Sequence, residues 1–524
     1  MRQNKIITRF SILLGMLFFW GNSFAQISVS INQQTIKQII PQIEKTSGYN
    51  VFYTDKLPNL DTRKDLHVSN APLEAILKEL FKGTKITFEI KPNKQVLLFQ
   101  QANKPSGNRK QVPSKLLVEA ESFDRKGGWI VDQQFMDLMG SPYLMAHGMG
   151  VPVEDASTTI SFPEDGTYYV FVRTYNWTSP WYDGKGPGKF TLAVDNKKLP
   201  VVLGDEGKQW MWQPAGTVSV KAGSSSLTLK DLTGFNGRCD AIYFTTEKGQ
   251  LPPAQATQLT DFRKKMLDIP AEPEQYSYDV IVTGGGIAGM CAAATASRLG
   301  CKVALINDRP VLGGNNSSEV RVHLGGNIGV GPNSGLGRMI REFGHSKEGN
   351  AKPAANYEDE KKELFIANEK NITLYANYRA ISVKTDGNRI ESVIIKHIEN
   401  GKEVELKAPL FSDCTGDGTI GYLAGADYNM GRESRTEYGE ELAPIQPDKM
   451  TMGSSVQWYS ADKGKPTRFP IFSYGLQFNE KNCEKVTMGE WKWETGMNFN
   501  QIDDFERIRD YGLMVIYSNW SFLK

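Results

Sequence analysis

Gly284, Gly286 and Gly289 stand in a G-x-G-x-x-G run, a spacing whose chemistry is the cradling of a pyrophosphate by backbone N–H groups. Gly284 allows a tight turn after an apolar run, Val280 to Val282. Gly286, beside Gly285, lets the backbone approach phosphate, and Gly289 lets a helix pack close to the strand. The helix that follows is rich in small residues (Ala288, Ala292, Ala293, Ala294, Ala296), and its N-terminus faces the phosphates. A second apolar strand covers Val303 to Ile306. Strand, glycine loop, helix and strand in this order predict a Rossmann-type βαβ unit.

The ribose-binding acid of such a unit is expected at the end of the second strand. Asn307 occupies that place, followed by Asp308 and Arg309, so the ribose partner is either Asn307 or Asp308. The Gly313-Gly314 pair just beyond, with Asn315 after it, lets the chain pass tightly beside a cofactor and argues for FAD over NAD. A later segment ends a strand in Thr415-Gly416-Asp417-Gly418 and opens a helix, which brings Asp417 toward a flavin's ribityl or pyrophosphate region. Strand-like runs at Ala380 to Val383, Ile390 to Ile395 and Glu403 to Leu406 precede it, separated by Asp386-Gly387 and Asn400-Gly401 turns.

On these motifs, residues 278–524 resemble FAD-dependent oxidoreductases related to the heterodisulfide-reductase flavoprotein, and more distantly fumarate-reductase-type flavoproteins. The matching pieces are the glycine triplet, Asp308 to Ser318, Asp413 to Gly418 and Tyr517 to Lys524. The resemblance implies a glutathione-reductase-like fold with extended FAD. Sequences of that family continue beyond the counterpart of Leu523, so the domain is read as partial and its apolar end, Val515, Ile516, Trp520, Phe522 and Leu523, as uncovered. Relatives carry iron–sulfur clusters, but the five cysteines here include no C-x-x-C pair and supply no such ligands. Cys291, Cys301 and Cys414 read as buried small apolar residues. No catalytic residue is assigned: for Arg321, His323, His345 and Arg435 a packing or solvated role is the expectation.

Positioning these residues takes a multidomain chain of 524 residues, roughly three domains at ~150 residues each. Residues 1–25 read as a signal peptide: Arg2, Lys5 and Arg9, then apolar Phe10 to Trp20, then Ser23-Phe24-Ala25. That predicts export to the periplasm, the outer membrane or beyond, with no lipid anchor because no cysteine follows the cleavage site. Net charge is +2 with both signs mixed, which argues against a nucleic-acid partner.

Residues 26–100 form a small α+β domain. Ile36, Ile39, Ile40 and Ile43 space as a helix despite Pro41, Leu73, Ile76, Leu77 and Leu80 as a second, with Asn70 as its expected cap. Tyr49 to Tyr53, Ile86 to Ile90 and Gln95 to Phe99 read as strands. Thr46 to Tyr53 with Val68 to Leu77 resembles the secretin and TonB short N-terminal (STN) domain, which implies a TonB-system or outer-membrane partner. Residues 101–115 and 248–277 read as linkers.

Residues 116–247 carry seven short strand candidates between Gly, Pro and Asp turns, the pattern of an all-β sandwich. Leu117 to Glu121 and Asp240 to Phe244 resemble the two ends of galactose-binding-like carbohydrate modules. That resemblance implies a calcium ion, with Glu119, Glu121 and Asp240 as donors; surface salt links are the alternative. Trp177, Trp181, Tyr182, Trp210 and Trp212 are either sugar-stacking residues or core aromatics, and the loop Asp183 to Gly188 is the expected ligand contact. Two functions follow: an exported FAD oxidoreductase acting on an unknown small molecule or sugar, with a link to polysaccharide processing, or a non-enzymatic glycan-binding docking protein with a remnant flavin domain.

Overall fold

The computed structural model describes residues 27–524 apart from 55–56, 92–93, 101–112, 327–328, 345–348, 457, 459 and 484–493. The signal-peptide segment, most of the 101–115 linker and His345 lie outside the described residues. The chain divides into two compact units, Met1–Gln111 and Val112–Lys524.

In the first unit, the helix Ile36–Ser47 starts at Thr35, whose hydroxyl accepts from Gln38 N while Gln38 Oε1 accepts from Thr35 N. Pro41 lies inside it and removes one donor, yet burial of Ile36, Ile39, Ile40 and Ile43 outweighs that loss. The second helix, Leu73–Phe81, begins behind Pro72. Asn70 is not its cap, because it still belongs to the strand Arg63–Ala71, which pairs antiparallel with Ile27–Thr35. Asn50–Phe52, Gln95–Gln100 and Ile86–Lys91 form the other sheet.

The second unit opens with a β-rich region of three sheets. All seven strand candidates are present, joined by Ile130–Asp132, Tyr143–His147, Lys197–Lys198 and Phe235–Cys239. The last of these carries a register shift between Phe235 and Gly237, where Asn236 takes φ +59°. Phe162, Tyr168, Phe190, Leu227, Leu229 and Phe244 fill the core between the two four-stranded sheets.

The stretch expected as a linker, 248–277, carries structure. The helix Ala256–Met266 buries Leu259 against Leu117, Phe171 and Tyr243, and Glu274–Ser277 pairs in parallel with Glu403–Lys407. Its mixed polar sequence hides this, because the helix buries fully only one apolar residue, Leu259, beside half-buried Phe262 and Met266 and the buried Arg263.

The α/β region that follows has a parallel sheet in the order Ile372–Ala376, Val303–Asn307, Val280–Thr283, Leu410–Asp413. Ile281 and Ile306 face one core; Val282, Val303 and Leu305 face the other, under the helix Ile287–Arg298. The chain ends in the helix Phe505–Leu523. Contrary to the sequence expectation, Val515 and Ile516 are buried, as is Tyr517; Trp520 and Leu523 are half-buried and Phe522 is exposed. The cover comes from Trp177 and Phe235 of the β-rich region and from Phe469 and Phe472 of the segment before the helix.

Candidate cofactor site and its neighbours

Gly284 turns at φ +103°, and a Cβ there would stand 2.2 Å from the Cys414 carbonyl oxygen. A Cβ on Gly289 would meet Gly284 O at 1.8 Å, so helix and turn touch through backbone alone. Gly286, the residue before the helix Ile287–Arg298, is different: its Cβ would meet only Gly314 Cα, at 3.9 Å. Open space therefore lies beside Gly286, at the positive end of a twelve-residue helix. Gly313 N donates to Gly285 O at 2.9 Å, and Gly286 and Gly313 form a parallel bridge, which brings the two glycine segments together as one cradle. A diphosphate fits such a cradle on charge, donors and room.

Residues 279–517 match the family described as FAD dependent oxidoreductase, and residues 49–101 match the Secretin and TonB N terminus short domain. The chain carries an FAD dependent oxidoreductase domain. A curated relative, the soluble pyridine nucleotide transhydrogenase of Ectopseudomonas mendocina (strain ymp), is 37% identical over 68 residues, which are 13% of this chain and 13% of that protein. Among solved structures, L-proline dehydrogenase from P. horikoshii is similar at 23% identity over 28% of this chain and 24% of its own, with TM-score 0.19. A family 35 carbohydrate binding module from Clostridium thermocellum is similar at 15% identity over 25% of this chain and 97% of its own, with TM-score 0.20.

At the end of the second strand of the oxidoreductase domain, Asn307 donates its amide to Arg309 O at 2.8 Å and Val311 O at 3.1 Å. Its side chain thus shapes the turn into Gly313, and only Oδ1 is left to accept from a ribose hydroxyl. Asp308 is held by Arg379 at 2.8 Å, and the same guanidinium pairs with Asp137 of the β-rich region at 2.5 Å. Arg309 lies 3.6 Å from Glu319. Asn315 is exposed and its carbonyl accepts from Val322 N. Desolvation, then the Arg379 and Asp308 charges with opposite effects, leaves the Asp417 carboxyl above its ordinary range. Gly416 and Gly418 both take positive φ in the turn that carries Thr415.

Three supporting residues escape a sequence reading. Asp413 accepts from Thr415 N and Oγ1 and from Ile420 N, which pins the 415–420 turn; the only sequence signal is its Asp-x-Thr spacing. Lys362, fully buried, fills the space a side chain on Gly313 would need: a Cβ there would stand 2.6 Å from Lys362 Cδ. Its ammonium donates to Tyr357 O, and neighbouring Asp359 accepts from Ser318 N. Arg379 is the third. No local pattern marks the last two.

Arg321 is tied to its own loop, Nε donating to Ser318 O, and His323 Nδ1 lies 2.8 Å from Oδ1 of Asn350, which follows the helix Gly337–Phe343. Arg435 Nε bonds Ala443 O, within its own loop. Cys291, Cys301 and Cys414 are half-buried rather than fully buried, and all five cysteines are free.

Two features of the β-rich region bear on the alternatives that the sequence leaves open. Of the aromatics considered for sugar stacking, Trp177 and Trp212 are buried, and Trp181, Tyr182 and Trp210 are half-buried against rings of this chain. Trp177 is fully buried, donates Nε1 to Phe235 O, and stacks on Phe472. Trp181 packs on Tyr511, Tyr182 on Tyr474, Trp210 on Tyr143, and Trp212 lies buried beside Tyr243. The loop at Asp183–Lys185 is exposed, with Lys185 spent on Glu206 and Asp205. The second feature is the acidic triad. Glu119, Glu121 and Asp240 do meet, with ligand atoms within 4.8 Å of one another. Guanidinium groups occupy two of them: Arg263 and Arg173 both reach Asp240 Oδ2 at 2.6 Å, and Arg263 Nε lies 3.0 Å from Glu119.

Proposed function

We propose that this chain is an exported FAD-dependent oxidoreductase in which a Rossmann-type unit binds FAD and a β-sandwich serves as scaffold. The carrying observation is the open space beside Gly286, framed by Gly313 and Gly314 at a helix N-terminus. Gly284, Gly285, Gly286 and Gly289 with Gly313 and Gly314 form the pyrophosphate cradle, and Asn307 Oδ1 is the ribose acceptor in place of an acid. Thr415, Gly416 and Asp417 line the far side. Bound FAD supplies electron transfer to a substrate of small-molecule or sugar class; this chain's residues bind and orient it.

Export rests on the basic, then apolar, then small-residue N-terminus, and an outer-membrane partner on the match of residues 49–101. Among the described residues no helix is long and apolar enough to cross a membrane. The glycan-binding reading is the weaker one, because the aromatic face it needs is filled by Phe472, Tyr511 and Tyr517.

The test is reconstitution of the full chain with FAD, followed by its visible spectrum after desalting. A flavin band that survives desalting supports the reading. A colourless protein that nonetheless retains polysaccharide on an affinity gel overturns it in favour of the glycan-binding alternative.

A further inference from the structure

The β-rich region resembles modules in which calcium ties the two ends together, and its three carboxylates do converge. Their oxygens, however, are largely spent. Asp240 Oδ1 accepts from Ser141 Oγ at 2.9 Å, and Asp240 Oδ2 accepts from both Arg173 and Arg263. Glu119 Oε1 faces Arg263. Glu119 Oε2 and Glu121 Oε2 are buried without a hydrogen-bond partner. Calcium takes about six to eight oxygens, so a triad with both Asp240 oxygens and Glu119 Oε1 already engaged is a poor cage.

Charge points the same way. Three acids stand against Arg173, Arg263 and a third cation, Lys396, which is buried and donates to Gly140 O at 3.0 Å. A dication would have to enter beside two guanidinium groups already paired with these acids and beside the Lys396 ammonium. Lys396 and Arg263 line, with Glu119 and Glu121, one cavity of about 380 Å³.

The origins of these cations matter. Arg173 belongs to the β-rich region itself, on the strand Gly166–Thr174. Arg263 comes from the helix Ala256–Met266 that follows that region, and Lys396 from the strand Arg389–His397 of the oxidoreductase domain. Next to them Lys264 of the same helix pairs with buried Glu403 of that domain at 2.9 Å. We infer that the Glu119–Glu121–Asp240 triad is a calcium-independent socket: Arg263 plugs into it, with the Lys396 ammonium beside it on Gly140 O, and the two fasten the β-rich region to the elements that follow it. Positive charge that an ion would supply comes from side chains of the adjoining elements, so the fold closes on itself without a metal.

The experiment is thermal melting of the full chain with excess calcium and with EGTA, together with the calcium content after dialysis. Superimposable melting curves and no retained calcium are expected, because only a ligand bound by the native state shifts the midpoint. A calcium-dependent rise in the midpoint, or one retained calcium per chain, overturns the inference. Arg263→Gln is expected to lower the midpoint by several degrees equally in both conditions, since it leaves buried carboxylates without their counter-charge. An unchanged midpoint in that variant also overturns it. Should Arg263→Gln fail to fold, Lys396→Met at the edge of the cluster is read by the same two criteria.

Discussion

Arg238 and Asp510 meet at 2.5 Å with side chains 0% and 1% exposed, across 272 residues of sequence. Arg238 also donates to Glu506 at 2.8 Å, and Glu506 in turn accepts from Tyr143 and Trp210. Arg509 of the same helix pairs with Asp132. This buried network joins the β-rich region to the C-terminal helix. Removing one partner strands a buried charge, so Arg238→Met is expected to destabilise the full chain by about 3–5 kcal/mol. Urea denaturation measures it; a loss below ~0.5 kcal/mol would class Arg238 with surface residues and refute the clamp.

The two glycines of the cradle should fail differently. Gly286→Val puts a side chain into open space and is expected to abolish FAD retention while leaving the melting midpoint near wild type. Gly289→Ala drives its Cβ against Gly284 O, so it should lower the midpoint as well. Full FAD occupancy in Gly286→Val would contradict the site.

Trp177 is a packing residue between Phe235, Phe472 and Tyr517. Trp177→Ala is expected to cost about 3–5 kcal/mol of stability. Retention on soluble polysaccharides should not depend on it. Loss of glycan retention without loss of stability in this variant would restore the sugar-binding role.

Burial holds His147 below its ordinary 6.5, partly offset by its hydrogen bond to Asn236. The unfolded chain therefore binds this proton at a pH where the folded chain does not. Stability should rise with pH through the window between the depressed folded value and 6.5, and level off above it. His147→Gln should flatten that slope in part, because His397 is lowered by burial too. Denaturation midpoints from ~pH 5 to ~pH 8 check this, and an unaltered slope would show that His147 does not titrate in that range.

The sequence by itself determined the local chemistry. Glycine spacing at 284–289, the Gly313-Gly314 pair and the alternating strands are properties of a few adjacent residues, so turn geometry and periodicity reveal them. The isoleucine stripe at 36–43 was equally legible, and survives Pro41 because burial outweighs one lost donor. What fills each face was decided only in three dimensions. Arg263 looks like a solvent-facing helix residue until Asp240 is placed beside it. Lys362 gives no hint that it lies under Gly313, nor Arg379 that it links Asp308 to Asp137. Trp177 reads in sequence as a sugar platform or, more commonly for such a residue, a core aromatic, and its core partners Phe472 and Tyr517 lie some 300 residues away. Such contacts depend on how distant elements pack, and local periodicity carries no record of which partner a buried charge or ring will meet.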